Sequence, residues 1–242
     1  VRILPKSGLI VANAAEDSLK RVLERGCWTP VEWFGSDAGW GLEELGADGA
    51  CAVSFAGGES GRLRLALAGS HNRTNALAAV AAARHAGVPP AAALEALACF
   101  GGVKRRLEVR GASGNVTVYD DFAHHPTAIS ATIAGLRQRI DGGRILAVLE
   151  PRSNTMKLGV MKAQLPDSLR GAELTFCYAA GLGWDVRGAL QPLGERAQVF
   201  EDIDALVAAV SAAARGGDHV LVMSNGDFCG VHVRLLEALA AR

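Results

Sequence analysis

This sequence predicts an α/β protein whose second half is an open, mostly parallel sheet. Beyond residue 107, strand-like apolar runs alternate with helix-like ones. Ile145-Leu146-Ala147-Val148-Leu149 is apolar without a break, as a strand covered on both faces requires. Polar segments punctuated by proline or glycine follow the strand-like runs at 120–127, 150–157 and 224–230. Ligands bind at such strand ends in sheets of this kind.

In chain order, Leu9–Ala12 reads as a buried strand and Glu16–Arg25 as a helix, with Asn13 or Asp17 as its cap and Gly26 as its stop. Val31–Phe34 and Cys51–Phe55 are strand-like. Gly57–Gly61 reads as a turn leading into the alternating strand Arg62–Leu67. An Ala-rich helix spans Asn72–His85, and Pro89-Pro90 opens another to about Phe100. Gly101-Gly102-Val103-Lys104-Arg105-Arg106 is a glycine-led basic hinge, which sets a domain boundary between 1–106 and 107–242. The second part then runs through strands at 107–110, 116–119, 145–149, 174–178 and 220–223. Helices fall at 127–140, 161–169, 203–214 and 231–241, giving a sheet of Rossmann type.

Composition narrows the function. Lys+Arg and Asp+Glu balance at 25 each, which argues against a dedicated nucleic-acid surface. Half of the 242 residues are hydrophobic, enough for a packed core. Five scattered cysteines without a C-x-x-C read as reduced, buried thiols of a cytosolic protein, not as a zinc site or disulfide framework. No apolar run approaches the roughly 20 residues of a membrane span. The chain starts Val-Arg-Ile without a Met, almost at once enters a strand, and has no signal-peptide layout; it reads as a piece whose N-terminal part is missing.

Candidate chemistry concentrates in Tyr119-Asp120-Asp121-Phe122-Ala123-His124-His125-Pro126-Thr127. Two carboxylates and two imidazoles are costly to bury without partners. A carboxylate here can hold ribose hydroxyls or Mg²⁺, and an imidazole can donate to a phosphate or a carboxylate. The bland alternative is a capped helix, with Asp121 near its N-cap and His125 against the sheet. Arg152 and Lys157, with Ser153, Asn154 and Thr155, could take a carboxylate or phosphate. Asn225 and the glycines at 226 and 230 let a backbone approach a ligand. Upstream, His71, Asn72 and Asn75 open a helix; an Asn amide can read a purine edge, although helix capping explains it as simply. The chain has neither G-x-x-x-x-G-K-[ST] nor G-x-G-x-x-G after a strand. A Rossmann oxidoreductase is therefore disfavoured, and a phosphate cradle for ATP would lie outside this chain.

G-x-H-N-x-x-N-A at 69–76, the basic residues 104–106, D-D-F-A-H-H-P-T at 120–127 and S-N-G at 224–226 together resemble the Mur ligases of peptidoglycan synthesis, over nearly the whole chain. E-P-R-S-N-T-M-K at 150–157, with S-N-G-x-F-x-G, is most similar to the muropeptide-recycling branch. The runner-up is the branch that joins L-alanine to UDP-N-acetylmuramate, which carries an Arg-rich segment where this chain has Ser153–Met156. Asp227 and Cys229 depart from the glycines expected in the recycling branch.

The resemblance implies the second part of a central ATPase domain, to about Arg106, followed by a Rossmann-like C-terminal domain. The UDP-binding domain, the P-loop and most Mg²⁺ ligands would lie upstream. It implies ATP and Mg²⁺ as cofactors, UDP-N-acetylmuramate and a muropeptide as substrates, a cytoplasmic location, and no nucleic acid, membrane or obligate protein partner. His71, Asn72 and Asn75 would contact adenine. Arg106 and Asp121 would hold the ribose, with Phe122 against the nucleotide. His124 would lie near the phosphates and the incoming amine, making His124 and Asp121 the catalytic candidates. Arg152, Ser153, Asn154, Lys157 and Asn225 would line the peptide pocket; no metal ligand is assigned. The implied reaction is amide ligation through an acyl phosphate, closed by motion at 101–106, with this piece inactive by itself. A non-catalytic nucleotide- or peptide-binding module is the reading from a different class.

Overall fold

The structure is a computed structural model, describing residues 3–36, 38–45, 50–65, 67, 69–152 and 158–242. The chain forms two compact units, Val1–Gly102 and Val103–Arg242. Arg105 belongs with the second unit because its amide donates to Glu108 Oε2, its carbonyl accepts from Phe122 and its guanidinium pairs with Asp120.

In the first unit, β1 (Ile10–Asn13), β2 (Val31–Phe34), β3 (Trp40–Glu44), β4 (Cys51–Phe55) and β5 (Gly58–Leu63) lie in that order in one sheet. The first three are parallel and the last two antiparallel. Three helices follow the sheet's logic: α1 (Asp17–Glu24), α2 (Ser70–His85) and α3 (Pro90–Ala98). Leu77 and Val80 on α2 and Leu94 on α3 pack with Trp40, Val53 and Leu63. Trp40 is fully buried, and its indole N–H donates to Glu32 Oε1 at 2.8 Å. A Cβ on Gly39 would lie 2.1 Å from the Trp33 carbonyl oxygen, so only glycine allows this approach.

The expectation missed β3, whose Gly41, Glu43 and Glu44 hide its buried Trp40. It also placed a turn at 57–61, where the structure has β5. The turn is Ala56-Gly57, both left-handed (φ 49° and 81°), and Ser60 is bulged between the pairs Ser54–Glu59 and Val53–Gly61. Neither Asn13 nor Asp17 caps α1. Glu16 is its N-cap residue, and Asn13 Oδ1 instead accepts from the Ala15 amide.

The second unit holds β6 (Glu108–Ser113), β7 (Val116–Asp121), β8 (Ile145–Leu149), β9 (Leu174–Tyr178), β10 (Ala197–Phe200) and β11 (His219–Met223), in the order β10-β9-β8-β11-β7-β6. Only the β6–β7 pair is antiparallel. Among the described residues its helices are α4 (Pro126–Arg139), α5 (Leu165–Leu169), α6 (Val186–Leu190), α7 (Ile203–Ala213) and α8 (Val231–Ala240). Strand alternation sorts the core into two layers. Ile145, Ala147 and Leu149 face Ile129, Ile133 and Leu165 of α4 and α5. Leu146 and Val148 face Leu206, Val210 and Leu235 of α7 and α8. All five β8 residues are buried, as their unbroken apolar run requires.

The helix expected at 161–169 is a 3₁₀ turn at Lys162–Gln164 followed by α5, with Pro166 in its first turn. The short edge strand β10 and the five-residue α6, capped by Asp185 Oδ1 on the Gly188 amide at 2.9 Å, were not anticipated. β7 runs two residues further than expected, so Asp120 and Asp121 lie within the strand.

Insertion of β11 between β7 and β8 positions the candidate site. Met223 pairs with Asp121 on one side and with Leu149 on the other. The three polar segments therefore leave side by side from three adjacent strands, at one level.

The other end of these strands is pinned by charge. Arg144 precedes β8 and Asp218 precedes β11; Nε and Nη2 donate to Oδ1 and Oδ2 at 3.0 and 2.6 Å. Burial alone would raise the Asp218 pKa, but Arg144 and the Arg215 amide outweigh it and hold it below the ordinary value. A depressed carboxylate contributes its stabilisation above its unfolded pKa and loses it as pH falls through the folded value. Arg144→Met is expected to cost roughly 1–3 kcal/mol at pH 7. In urea denaturation curves, the difference from the unsubstituted chain should shrink progressively below about pH 4.

Candidate functional site

Adjacent residues of a strand point to opposite faces, and this separates the two acids at the end of β7. Asp121 faces the α4 layer and Asp120 the α8 layer. Asp121 Oδ2 accepts from the Leu107 amide at 2.9 Å. Asp121 Oδ1 accepts from the Ala123 amide at 2.8 Å and from the Thr132 hydroxyl at 3.1 Å. Burial pushes its pKa up, and these donors with the charge of Arg106 only partly counter that. Both of its oxygens thus serve the chain's own donors, tying β6, α4 and the loop at 122–125 to one carboxylate.

Asp120 is buried between the Arg105 guanidinium and the His232 imidazole. Arg105 Nε is 3.3 Å from its Oδ1, and His232 Nε2, on α8, is 3.3 Å from the same oxygen. The His232 contact lacks hydrogen-bond alignment, and Nε2 has no other partner. Burial raises the Asp120 pKa, but His232 and Arg105 together bring it below the ordinary value. Arg105 also donates to the Ser224 carbonyl at 2.5 Å and lies 5.2 Å from the centroid of the Phe122 ring. Phe122 remains 38% exposed. The His124 ring meets it edge-on, with Nδ1 3.0 Å from the Phe122 carbonyl oxygen. His125 is the N-cap residue of α4 and Pro126 its first residue, so Asp121 is not the cap.

The ends of β8 and β11 interlock. Ser224 donates to Glu150 Oε2 at 2.5 Å and accepts from the Gly226 amide at 2.9 Å. The half-exposed Arg152 guanidinium lies 4.0 Å from Glu150 Oε1. A Cβ on Gly226 would meet Arg152 Nη1 at 2.5 Å, so glycine lets that side chain cross the neighbouring loop. Asn225 Oδ1 is buried and has no hydrogen-bond partner among the described residues. Phe228, Cys229 and Gly230 are consecutively left-handed, at φ 50°, 51° and 65°. Cys229 holds that conformation at a steric cost that a glycine there would avoid. Asp227 is exposed, with ordinary backbone angles.

The structure therefore brings Asp121, Phe122, His124, Arg152 and Asn225 to the ends of three neighbouring strands. Arg106 is exposed beside them, and Arg105 has the inserted guanidinium. Ser153, Asn154 and Lys157 lie outside the described residues. His71, Asn72 and Asn75 are in the first turns of α2, in the first unit. The His71 ring lies over Gly69, where a Cβ would be 2.7 Å from its Cε1, and Asn75 is exposed. Among the described residues, no three His, Cys, Asp or Glu side chains are grouped as metal ligands, and no helix is long and apolar enough to cross a membrane. Glu150 and Ser224 went unnamed as site residues, although each directly follows an apolar strand. His232 carried no signal beyond a polar residue beside the buried Val231-Leu235-Leu239 stripe.

Asp121→Asn would place an amide NH₂ against either the Leu107 or the Ala123 amide. We expect it to lower stability by roughly 1–3 kcal/mol in thermal or urea unfolding. Thr132→Val, which leaves both backbone donors paired, should cost about 1 kcal/mol.

Comparison with known proteins shows the family. Residues 105–226 match the family model for the Mur ligase, glutamate ligase domain. The chain is 45% identical over 245 aligned residues to the UDP-N-acetylmuramate–L-alanyl-γ-D-glutamyl-meso-2,6-diaminoheptandioate ligase of Escherichia coli K12, covering 100% of this chain and 54% of that protein. The ligase of the same name from Haemophilus influenzae is 43% identical, over 99% of this chain and 53% of its own length. The crystal structure of a murein peptide ligase from Psychrobacter arcticus superposes with a TM-score of 0.80 at 37% identity, over 100% of this chain and 53% of that one. The chain thus spans about half the length of the curated relatives it matches. From the matched domain, and from the strand-end loops that carry its motifs, this chain belongs to the Mur ligase family.

Proposed function

We propose that this chain forms the acceptor-peptide side, and part of the nucleotide side, of an ATP-dependent amide ligase. The ligase joins L-Ala-γ-D-Glu-meso-diaminopimelate to UDP-N-acetylmuramate in peptidoglycan recycling. The observation that carries this reading is the junction of the β8 and β11 loops. Arg152 crosses Gly226 there, next to the unpartnered acceptor Asn225 Oδ1. A guanidinium beside a buried acceptor suits a peptide that carries free carboxylates and amide N–H groups. The likeness to the recycling ligases, at 43–45% identity, supports the choice of peptide.

When bound, ATP supplies the phosphoryl group that activates the lactyl carboxylate; the peptide amine then attacks the acyl phosphate and phosphate leaves. In this reading the chain's residues bind and orient. Arg152 pairs with a peptide carboxylate, and the family resemblance assigns Ser153, Asn154 and Lys157 to the same peptide. Asn225 accepts a peptide N–H. Phe122 offers its exposed ring to the nucleotide, and Arg106 supplies positive charge for ribose or phosphate. His124 borders the reacting groups, and Asp121 fixes the loop that carries both rings. His71, Asn72 and Asn75 contact the adenine. Mg²⁺ ligands are not assigned, and no step is routed through that ion. Holding amine and acyl phosphate together supplies much of the rate advantage in such a ligation.

Calorimetric titration of the chain with L-Ala-γ-D-Glu-meso-diaminopimelate tests the reading. Saturable binding is expected, weakened about 10–100-fold by Arg152→Ala, the loss of one charge-assisted contact. Equal affinity in the two proteins removes Arg152 from the pocket. Absence of binding to the unsubstituted chain removes the acceptor site from this chain alone.

A further inference from the structure

The established motifs leave His232, Asp120 and Arg105 without a task, although together they bury a carboxylate between two basic groups beside the candidate site. Their contacts run in one direction. His232 Nε2, buried and otherwise unpartnered, is 3.3 Å from Asp120 Oδ1. That same oxygen takes Arg105 Nε at 3.3 Å. The Arg105 guanidinium is also tied to the Ser224 carbonyl, and it lies against the Phe122 ring at 5.2 Å from the centroid. The Phe122 amide donates back to the Arg105 carbonyl at 2.8 Å. Arg105 is itself left-handed (φ 60°), a conformation that a non-glycine residue holds only when its surroundings impose it.

Nε2 of His232 must carry the proton in this arrangement, because a lone pair there would face a carboxylate. The Nε2–H dipole on α8 thereby faces a carboxylate on β7 at 3.3 Å, as an electrostatic contact. The carboxylate orients a guanidinium from the segment leading into β6, and the guanidinium backs an aromatic ring on the loop after β7. The ring is 38% exposed although its amide, its carbonyl and its guanidinium neighbour are all fixed. A large apolar ring held rigidly and left open is suited to stack on a planar base.

We infer that Arg105, Asp120 and His232 are positioning residues that hold the Phe122 ring as a stacking face for the nucleotide base. This rests on the proposal that Phe122 meets the nucleotide. The array acts through Phe122 and touches no substrate itself. His232 is its most remote member, since it reaches the ring only through Asp120 and Arg105.

The experiment places 4-fluorophenylalanine at position 122 of the full chain and records its ¹⁹F resonance, with the same label at the buried Phe176 as a control. In the unsubstituted chain the label at 122 should give one sharp resonance displaced from its unfolded position. Asp120→Asn and His232→Phe should each remove at least half of that displacement while the Phe176 resonance stays in place. His232→Gln, which can still donate an N–H, should restore most of it. If His232→Phe does not fold, Arg105→Gln, at a part-exposed position, carries the same readout. Unchanged resonances at 122 in Asp120→Asn and Arg105→Gln would overturn the inference. Millimolar ADP is then added. A shift at 122 in the unsubstituted chain, lost in Asp120→Asn, supports the stacking face. No shift with ADP, where the variants have already moved the ring, overturns the nucleotide reading of Phe122 and leaves the positioning array standing.

Discussion

Two carboxylates buried side by side at the end of β7 are the constraint on which this end of the molecule depends. Removing an ionised carboxylate from water costs several kcal/mol even after relaxation, on the order of what two or three charge-assisted hydrogen bonds return. Each acid must therefore find its own donors, and they are recruited from different elements. For Asp121 the donors are two backbone amides and a threonine, and burial still prevails, since its pKa is raised. It is thus a poor source of net stability and is better understood as a structural tie among β6, α4 and the loop at 122–125. For Asp120 the partners are a guanidinium and an imidazole, and they prevail over burial, since its pKa is lowered. One acid organises the backbone of the loop, and the other organises a guanidinium beneath its aromatic ring.

The sheet order makes this constraint useful. If β11 lay at an edge, the loops after β7 and β8 would be joined without the Ser224 segment between them. With β11 inserted, the Ser224 amide donates to the Asp121 carbonyl, its hydroxyl to Glu150, and its carbonyl accepts from Arg105. A single residue thus bonds to the ends of both neighbouring strands. The loops that the family resemblance marks as nucleotide-facing and peptide-facing consequently share one hydrogen-bonded base, built by a segment far downstream of both in sequence.

Much of the second unit was legible because its signals are local. The unbroken run of β8 specified burial on both faces, and the polar loops marked the ends of the strands. The elements that escaped have weak local signals. β3 carries two glutamates and a glycine, and β10 is four residues at a sheet edge. The motif Asp120-Asp121 was legible as two acids that need partners, but their division between two layers follows only from β7 including both. Once they lie in a strand, the period of two sends them to opposite layers.

The choice between Arg105 and Arg106 shows where sequence reasoning stops. Both are basic, adjacent and next to a glycine-led segment, and the family motif favoured Arg106. Which one turns inward is decided by φ angles of 60° at Arg105 and 48° at Leu107, which no propensity for those residue types would suggest. Those angles are imposed from outside the segment. The Asp121 carboxylate holds the Leu107 amide, Glu108 and Phe122 hold the Arg105 backbone, and Asp120 holds the guanidinium. The strained backbone before β6 is therefore a consequence of the two buried acids on β7. Arg106 stays exposed, and it touches that network only through the effect of its charge on Asp121.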